Sequence, residues 1–235
     1  MIPALNEETS LSFCLASVTS QRFEGGMEVI VVDNGSTDNT ASVAQRYGAK
    51  VIPCKRRGVV FARQVGLESA AGQVIVHLDA DSRLKPDTLS RLAADFARPD
   101  VAVVVGDVDY SPTSLGPNVM RRVYRATNTT LNLVMRRPMF ALAGALALRR
   151  DFFLRAGGYD IRQPHTADEA GILGRLHKHG RVVWDGRFVV ASSDRRFHGR
   201  FAQWLVSDLF VHTFLDQLAY KLTKRSRWGD RPDFR

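Results

Sequence analysis

Cysteine is scarce in this sequence: Cys14 and Cys54 are the only two in 235 residues. Two thiols exclude a disulfide scaffold and any four-cysteine metal site, and they fit a reducing compartment. Long apolar runs are missing as well. The longest, Met139 to Leu148, is nearly unbroken over ten residues, whereas a helix needs about 20 to span a bilayer. No basic-then-apolar leader opens the chain, so a cytoplasmic protein is expected. Acids are in short supply: 24 Asp and Glu stand against 33 Lys and Arg, leaving a formal charge of +9. Charged residues at 24% and hydrophobic ones at 45% exclude a disordered chain. The length suits one large α/β domain or two small ones.

The positive excess has two readings, a solvated basic surface or an anionic partner. Arg121, Arg122, Arg125, Arg136 and Arg137 follow one another with no acid between them. A second cluster, Lys221, Lys224, Arg225, Arg227, Arg231 and Arg235, marks the tail. Neither cluster has the aromatic or helix-turn-helix context of a nucleic-acid module, so no nucleic-acid partner is expected. A phosphate-bearing small molecule or a lipid surface fits better.

Short β-rich runs alternate with helical stretches through the first hundred residues. Met27–Val32, Lys50–Cys54, Gln73–Leu78 and Val101–Gly106 read as strands, several of them apolar enough for burial on both faces. Helices are expected over Gly58–Ala71 and from Pro86 to about Ala97. This alternation predicts right-handed crossovers and a mainly parallel, doubly wound sheet. Further on, helices are expected over Gly116–Arg136, Asp168–Lys178 and Phe201–Lys224, with a short one ending at Gly157-Gly158. Strands are expected at Ala143–Leu148, Arg181–Trp184 and Arg187–Val190.

In an open parallel sheet, ligands bind beyond the carboxyl ends of the strands. Three acidic groups fall at such predicted ends: Asp33, the pair Asp79 and Asp81, and Asp107 with Asp109. A single Asp there is usually a cap or turn former. The Asp-x-Asp pair, directly after Val74-Ile75-Val76-His77-Leu78, is different, because two such close carboxylates repel unless a cation lies between them. Oxygen-only ligands suit Mg²⁺ or Mn²⁺, which commonly accompany a phosphate substrate.

Several motifs occur in a telling order: Ile2-Pro3-Ala4-Leu5-Asn6-Glu7-Glu8, then Val29 to Asp38, then Leu78-Asp79-Ala80-Asp81. Arg149-Arg150-Asp151-Phe152 then leads to Gly157-Gly158-Tyr159-Asp160, and Asp168-Glu169 precedes Arg175-Leu176. Together they resemble family 2 glycosyltransferases over residues 1 to about 200. The resemblance implies an α/β fold of GT-A type, a mainly parallel Rossmann-like nucleotide-binding sheet flanked by helices and merged with a smaller acceptor-side region. Residues 1–110 would bind the nucleotide sugar, 111–200 the acceptor, and 201–235 would form a C-terminal amphipathic helix and basic tail. By the same resemblance, Pro3, Ala4, Asn6 and Glu7 line the nucleotide base and Asp33 hydrogen-bonds its edge. Arg63 approaches the nucleotide, or else is an ordinary helix arginine. Asp79 lies near ribose and Asp81 on the Mg²⁺ or Mn²⁺ that bridges the diphosphate. Arg195 and Arg196 match a segment that closes over the phosphates, with a solvated basic surface as the alternative.

The resemblance also implies a general base. Family members carry Glu-Asp before Arg-Leu, whereas this chain has the acids exchanged, so either Glu169 or Asp168 fills that role. Both also suit the first turn of a helix. His165 and His198 read as loop histidines, since neither has a second histidine at ligand spacing. Relatives enter the Pro-Ala-x-Asn-Glu loop from a full strand, while only Met1 and Ile2 precede Pro3 here. The expectation is that a few apolar residues are missing upstream. Along the final helix, Phe201, Trp204, Leu205, Leu209, Phe210, Leu218 and Leu222 alternate with polar residues. That helix either packs on the domain or lies on the inner face of a membrane, which would suit a lipid-linked acceptor.

The implied activity is inverting transfer of a sugar from a nucleotide-diphosphate donor to a hydroxyl acceptor. A non-catalytic nucleotide-sugar binder is the alternative that the exchanged acids leave open. A sugar-phosphate nucleotidyltransferase should open on a glycine-rich phosphate loop, and Pro3 to Glu7 contains no glycine.

Overall fold

The computed structural model describes residues 1–110, 115–135, 143–161 and 168–193. Strand β1 (Ile2–Ala4) runs parallel to β2 (Ile30–Asp33), which runs parallel to β3 (Lys50–Pro53). The connections are helices α1 (Glu8–Thr19) and α2 (Thr40–Arg46). Helix α3 (Val59–Ser69) leads on to β4 (Val74–His77). Met1, just before the three-residue β1, links this three-stranded sheet to β4. The Met1 nitrogen donates to Val76 O at 2.9 Å, and Leu78 N donates to Met1 O at 3.2 Å, the pattern of a parallel bridge. The carboxyl ends of β2, β1 and β4 therefore open on the same side.

The second sheet has strand order β4-β7-β6-β8-β5. Its strands are β5 (Ser82–Leu84), β6 (Val101–Tyr110), β7 (Leu146–Arg149) and β8 (Arg181–Ser192). Strands β6 and β8 are parallel, while β7 runs antiparallel to both β4 and β6, and β5 antiparallel to β8. Helices α4 (Thr88–Phe96), α5 (Leu115–Met135), α6 (Arg150–Arg155) and α7 (Asp168–Leu176) complete the described part. Strand alternation divides the core between two faces. Val31 and Val104 contribute to one cluster, and Ile30, Val32, Val103 and Val105 to the other.

Three features depart from the sequence reading. The expected pair of strands at 181–184 and 187–190 is one strand, β8, whose Asp185-Gly186 forms part of an irregularity rather than a turn. The register against β6 shifts between Val105 and Asp107, where Gly106 lies so close to β8 that an added Cβ would meet Phe188 O at 2.4 Å. Strand β6 does not end at Gly106 but continues to Tyr110, so Asp107 sits within a strand and is fully buried. It tolerates burial because Arg121 Nη2 is 3.0 Å and Arg125 Nη1 3.5 Å from its Oδ2. The third is β5, three residues completed by β8. The expected helix at 201–224 and the basic tail lie outside the described residues.

Candidate functional site

The loop after β1 and the loop after β2 are tied to each other by their polar side chains. Register places Ala4 opposite Asp33, and Asn34 N donates to Ala4 O at 2.9 Å. Asn6, held at φ +53°, accepts from Thr37 N through Oδ1 at 2.7 Å, and its own N donates to Ser36 Oγ at 3.0 Å. Asn is one of the few residue types that enter this left-handed region readily. Glu7 N donates to Thr40 Oγ1 at 2.8 Å. Asp33 Oδ1 accepts from Ser36 N at 2.9 Å, which orients the carboxylate at the end of β2. Pro3, Ala4, Asn6, Glu7 and Asp33 therefore belong to one rim of the sheet.

Behind that rim stands Asn34, buried and fully engaged. Its Nδ2 donates to Arg56 O at 2.8 Å and Cys54 O at 3.4 Å, and its Oδ1 accepts from Gly58 N at 2.7 Å. One amide thus fixes the 54–58 loop and the start of α3, the helix that carries Arg63.

Arg63 is 5% exposed, and its Nη2 lies 3.5 Å from Asp79 Oδ1. It is therefore not an ordinary surface arginine. The Asp79-Ala80-Asp81 turn follows β4 and is held by Ser82 N donating to Asp79 O at 3.0 Å. Gly144 faces the turn: a Cβ there would meet Asp79 Oδ2 at 3.2 Å and Ser82 Oγ at 3.5 Å. Ser82 Oγ is buried and finds no hydrogen-bond partner among the described residues. Two carboxylates and an orphaned hydroxyl form a set of hard oxygen donors, which fits Mg²⁺ or Mn²⁺. No group of three His, Cys, Asp or Glu occurs among the described residues, so such an ion would take its remaining ligands from phosphate and water.

Beneath the acid pair lies a buried couple that sequence reasoning missed. His77, the last residue of β4, has its ring nitrogens 2.9 and 3.0 Å from Tyr159 Oη. Burial pushes the imidazole well below its ordinary pKa, and the nearby Arg63 charge pushes the same way. Gln64 Oε1 accepts from Tyr159 N at 3.0 Å, and Arg175 Nη2 donates to Gly158 O at 2.7 Å, so α3 and α7 both grip the Gly157–Tyr159 turn. An open cavity of about 350 Å³ adjoins it, lined in part by Gly158, Tyr159, Asp160 and Arg175. The only sequence signal for His77 is a polar residue inside an apolar strand. Burial also pushes the Cys14 thiol up to about 12, leaving an inert packing residue.

Asp168 and Glu169 open α7, whose Ile172 and Leu176 are fully buried. The side chains of that acid pair lie outside the described residues, as do Arg195, Arg196, His165 and His198. Part of the first arginine cluster is neutralised internally: Arg121 Nη1 is 2.6 Å from Asp109 Oδ1 as well as paired with Asp107.

Known proteins resemble this chain in sequence and in fold. Glycosyltransferase AglE of Haloferax volcanii is 27% identical over 186 residues, 73% of this chain and 61% of that protein. An N-acetylglucosaminyltransferase of Bradyrhizobium elkanii is 31% identical over 116 residues, 46% of this chain and 64% of its own length. Among solved structures, mannosyltransferase PcManGT from Pyrobaculum calidifontis, in complex with GDP-Man and Mn²⁺, superposes with a TM-score of 0.71 at 22% identity. That match covers 99% of this chain and 65% of the other. TarS of S. aureus gives 0.65 at 20% identity, over 98% of this chain and 43% of that one. The fold is thus of GT-A type, and the chain spans less than two thirds of these proteins. The model of glycosyl transferase family 2 matches residues 1–158, and the chain belongs to that family.

Proposed function

We propose that this protein is a metal-dependent, inverting glycosyltransferase that moves a sugar from a nucleotide-diphosphate donor to an acceptor hydroxyl. The observation that carries this reading is the Asp79–Asp81 turn at the carboxyl end of β4, with Arg63 3.5 Å from Asp79 and Gly144 packed against it. Residues 1–110 serve the donor, 111–200 the acceptor, and 201–235 the amphipathic tail, with the enzyme acting in the cytoplasm at the inner face of a membrane. Pro3, Ala4, Asn6 and Glu7 line the base, and Asp33 accepts an N–H from its edge. Asp79 approaches the ribose, and Asp79 and Asp81 would hold Mg²⁺ or Mn²⁺, which would supply Lewis-acid stabilisation to the leaving diphosphate. Arg63, Arg195 and Arg196 add positive charge there. Glu169 or Asp168 takes the proton of the acceptor hydroxyl as its oxygen attacks the sugar C1, and the C1–O electron pair leaves with the diphosphate. Support for the donor class comes from structural neighbours solved with GDP-Man and UDP-GlcNAc.

The test is nucleoside diphosphate release from a panel of sugar nucleotides, with and without chelator. Chelator and Asp81→Ala are each expected to reduce release at least about a hundredfold. Full activity under either condition would remove the metal from the reading. Glu169→Gln and Asp168→Asn, made separately, assign the base. The exchanged order of these acids favours a second reading, a nucleotide-sugar binder without turnover. Donor binding with no release for any acceptor tried would select it.

A further inference from the structure

Helix α5 carries four exposed apolar side chains, Val119, Val123, Leu133 and Val134. Toward the sheet, Arg121 pairs with Asp107 and Asp109, Tyr124 Oη donates to Gly106 O at 3.3 Å, and Asn128 is fully buried. Tyr124 also meets Trp184 edge-on, with ring centroids 5.6 Å apart. At about 100° per residue, positions 121, 124 and 128 share one side, while 119, 123, 126, 130, 133 and 134 fall in a band roughly 100° wide on the other. That outer band holds Val119, Val123, Leu133 and Val134, exposed by 48%, 61%, 81% and 75%. Ala126 and Thr130 are exposed within it as well. Single exposed valines need no explanation, but a continuous stripe along a 21-residue helix does.

Charge decides what covers it. No Asp or Glu occurs between Asp109 and Asp151, whereas Arg121, Arg122, Arg125, Arg136 and Arg137 do. Arg122 is exposed next to the stripe, and Arg125, although 3.5 Å from Asp107, is 52% exposed. A second copy laid across the stripe would set arginine against arginine, with no acid on the helix to relieve the repulsion. An anionic lipid surface satisfies both properties: the aliphatic band enters the headgroup boundary and the guanidinium groups meet lipid phosphates. We propose that α5 docks this protein on an anionic phospholipid bilayer, lying in the plane of the interface with Val119, Val123, Leu133 and Val134 inserted. The proposal is independent of the transferase reading, because it rests on the outer face of α5 and not on the acid pair.

Co-sedimentation of the full chain with vesicles tests it, using phosphatidylcholine alone and phosphatidylcholine mixed with phosphatidylglycerol. The expected result is binding to the mixed vesicles that falls as salt rises, and little binding to the neutral ones. The double variant Leu133→Glu/Val134→Glu is expected to bind the mixed vesicles about tenfold or more weakly. Both side chains are solvent-exposed, so its circular dichroism and melting temperature should match the parent. Leu133→Trp adds a fourth tryptophan to the chain's three, and the difference in emission between this variant and the parent should show a blue-shifted component on adding mixed vesicles only. Absence of binding to mixed vesicles would overturn the proposal. Binding unchanged in the double variant would also overturn it, moving the contact elsewhere on the chain. A dimer in sedimentation velocity that the double variant dissociates would overturn it in favour of a second copy.

Discussion

His77 shows what a single polar residue does inside an apolar strand. Its imidazole is wholly buried against Tyr159 Oη and is kept neutral by burial and by the charge of Arg63. Its folded pKa lies below the unfolded value, so the unfolded chain binds more protons as pH falls. Stability from this group is therefore present above about pH 6.5 and is lost on acidification, by at most about 1.4 kcal/mol per pH unit. Urea unfolding between pH 8 and pH 5 should show this slope, and His77→Gln should flatten it. Asn34 acts through hydrogen bonds instead. Asn34→Ala leaves Gly58 N and two carbonyls without their partner and should cost roughly 2–3 kcal/mol. Donor affinity should fall with it, because Arg63 rides on the helix that this amide anchors. A stable variant with parental donor affinity would contradict that coupling.

At the scale of elements, β2 was legible because Ile30 to Val32 is a continuous β-branched run ending in turn residues, Asp33 to Asp38, whereas β1, Ile2-Pro3-Ala4, carries no such signal. The mixed half was less legible. Strand β5 is too short to carry a period, and the apolar sequence of β7 says nothing about its antiparallel pairing with β4 and β6. Asp185-Gly186 separates the two strands expected at Arg181–Trp184 and Arg187–Val190, but β6 lies alongside and absorbs it as a register shift. Gly106 is where that pairing is tightest. Gly106→Ala would drive a methyl into Phe188 O and should destabilise by about 1–3 kcal/mol, seen as a lower urea midpoint with an unchanged m-value. A neutral result would mean that β8 can yield at this point.

For the molecule as a whole, donor and metal should act on stability together. If Asp81 holds a cation under the diphosphate, a sugar nucleotide at about a hundred times its Kd should raise the melting temperature on the order of 5–10 °C with Mn²⁺ present. In Asp81→Ala the metal-dependent part of that rise should vanish. A rise that ignores both chelator and substitution would place the nucleotide without a cation.

The surplus of +9 divides along similar lines. Arg63 faces Asp79, and Arg121 turns inward to Asp107 with Arg125 half-exposed beside it, a partnership no local pattern announces. What the sequence by itself determined was the family and the rim of the sheet. Those residues sit in short contiguous motifs, Pro3 to Glu7, Asp33 to Asp38 and Asp79 to Asp81, each at the end of a strand whose apolarity is local. Tertiary structure alone decided which charges meet. Asp107 with Arg121, His77 with Tyr159, Asn34 with Gly58 and Gly144 against Asp79 are all contacts between segments distant along the chain. Such pairings follow from how strands and helices pack, which no local run of residues specifies.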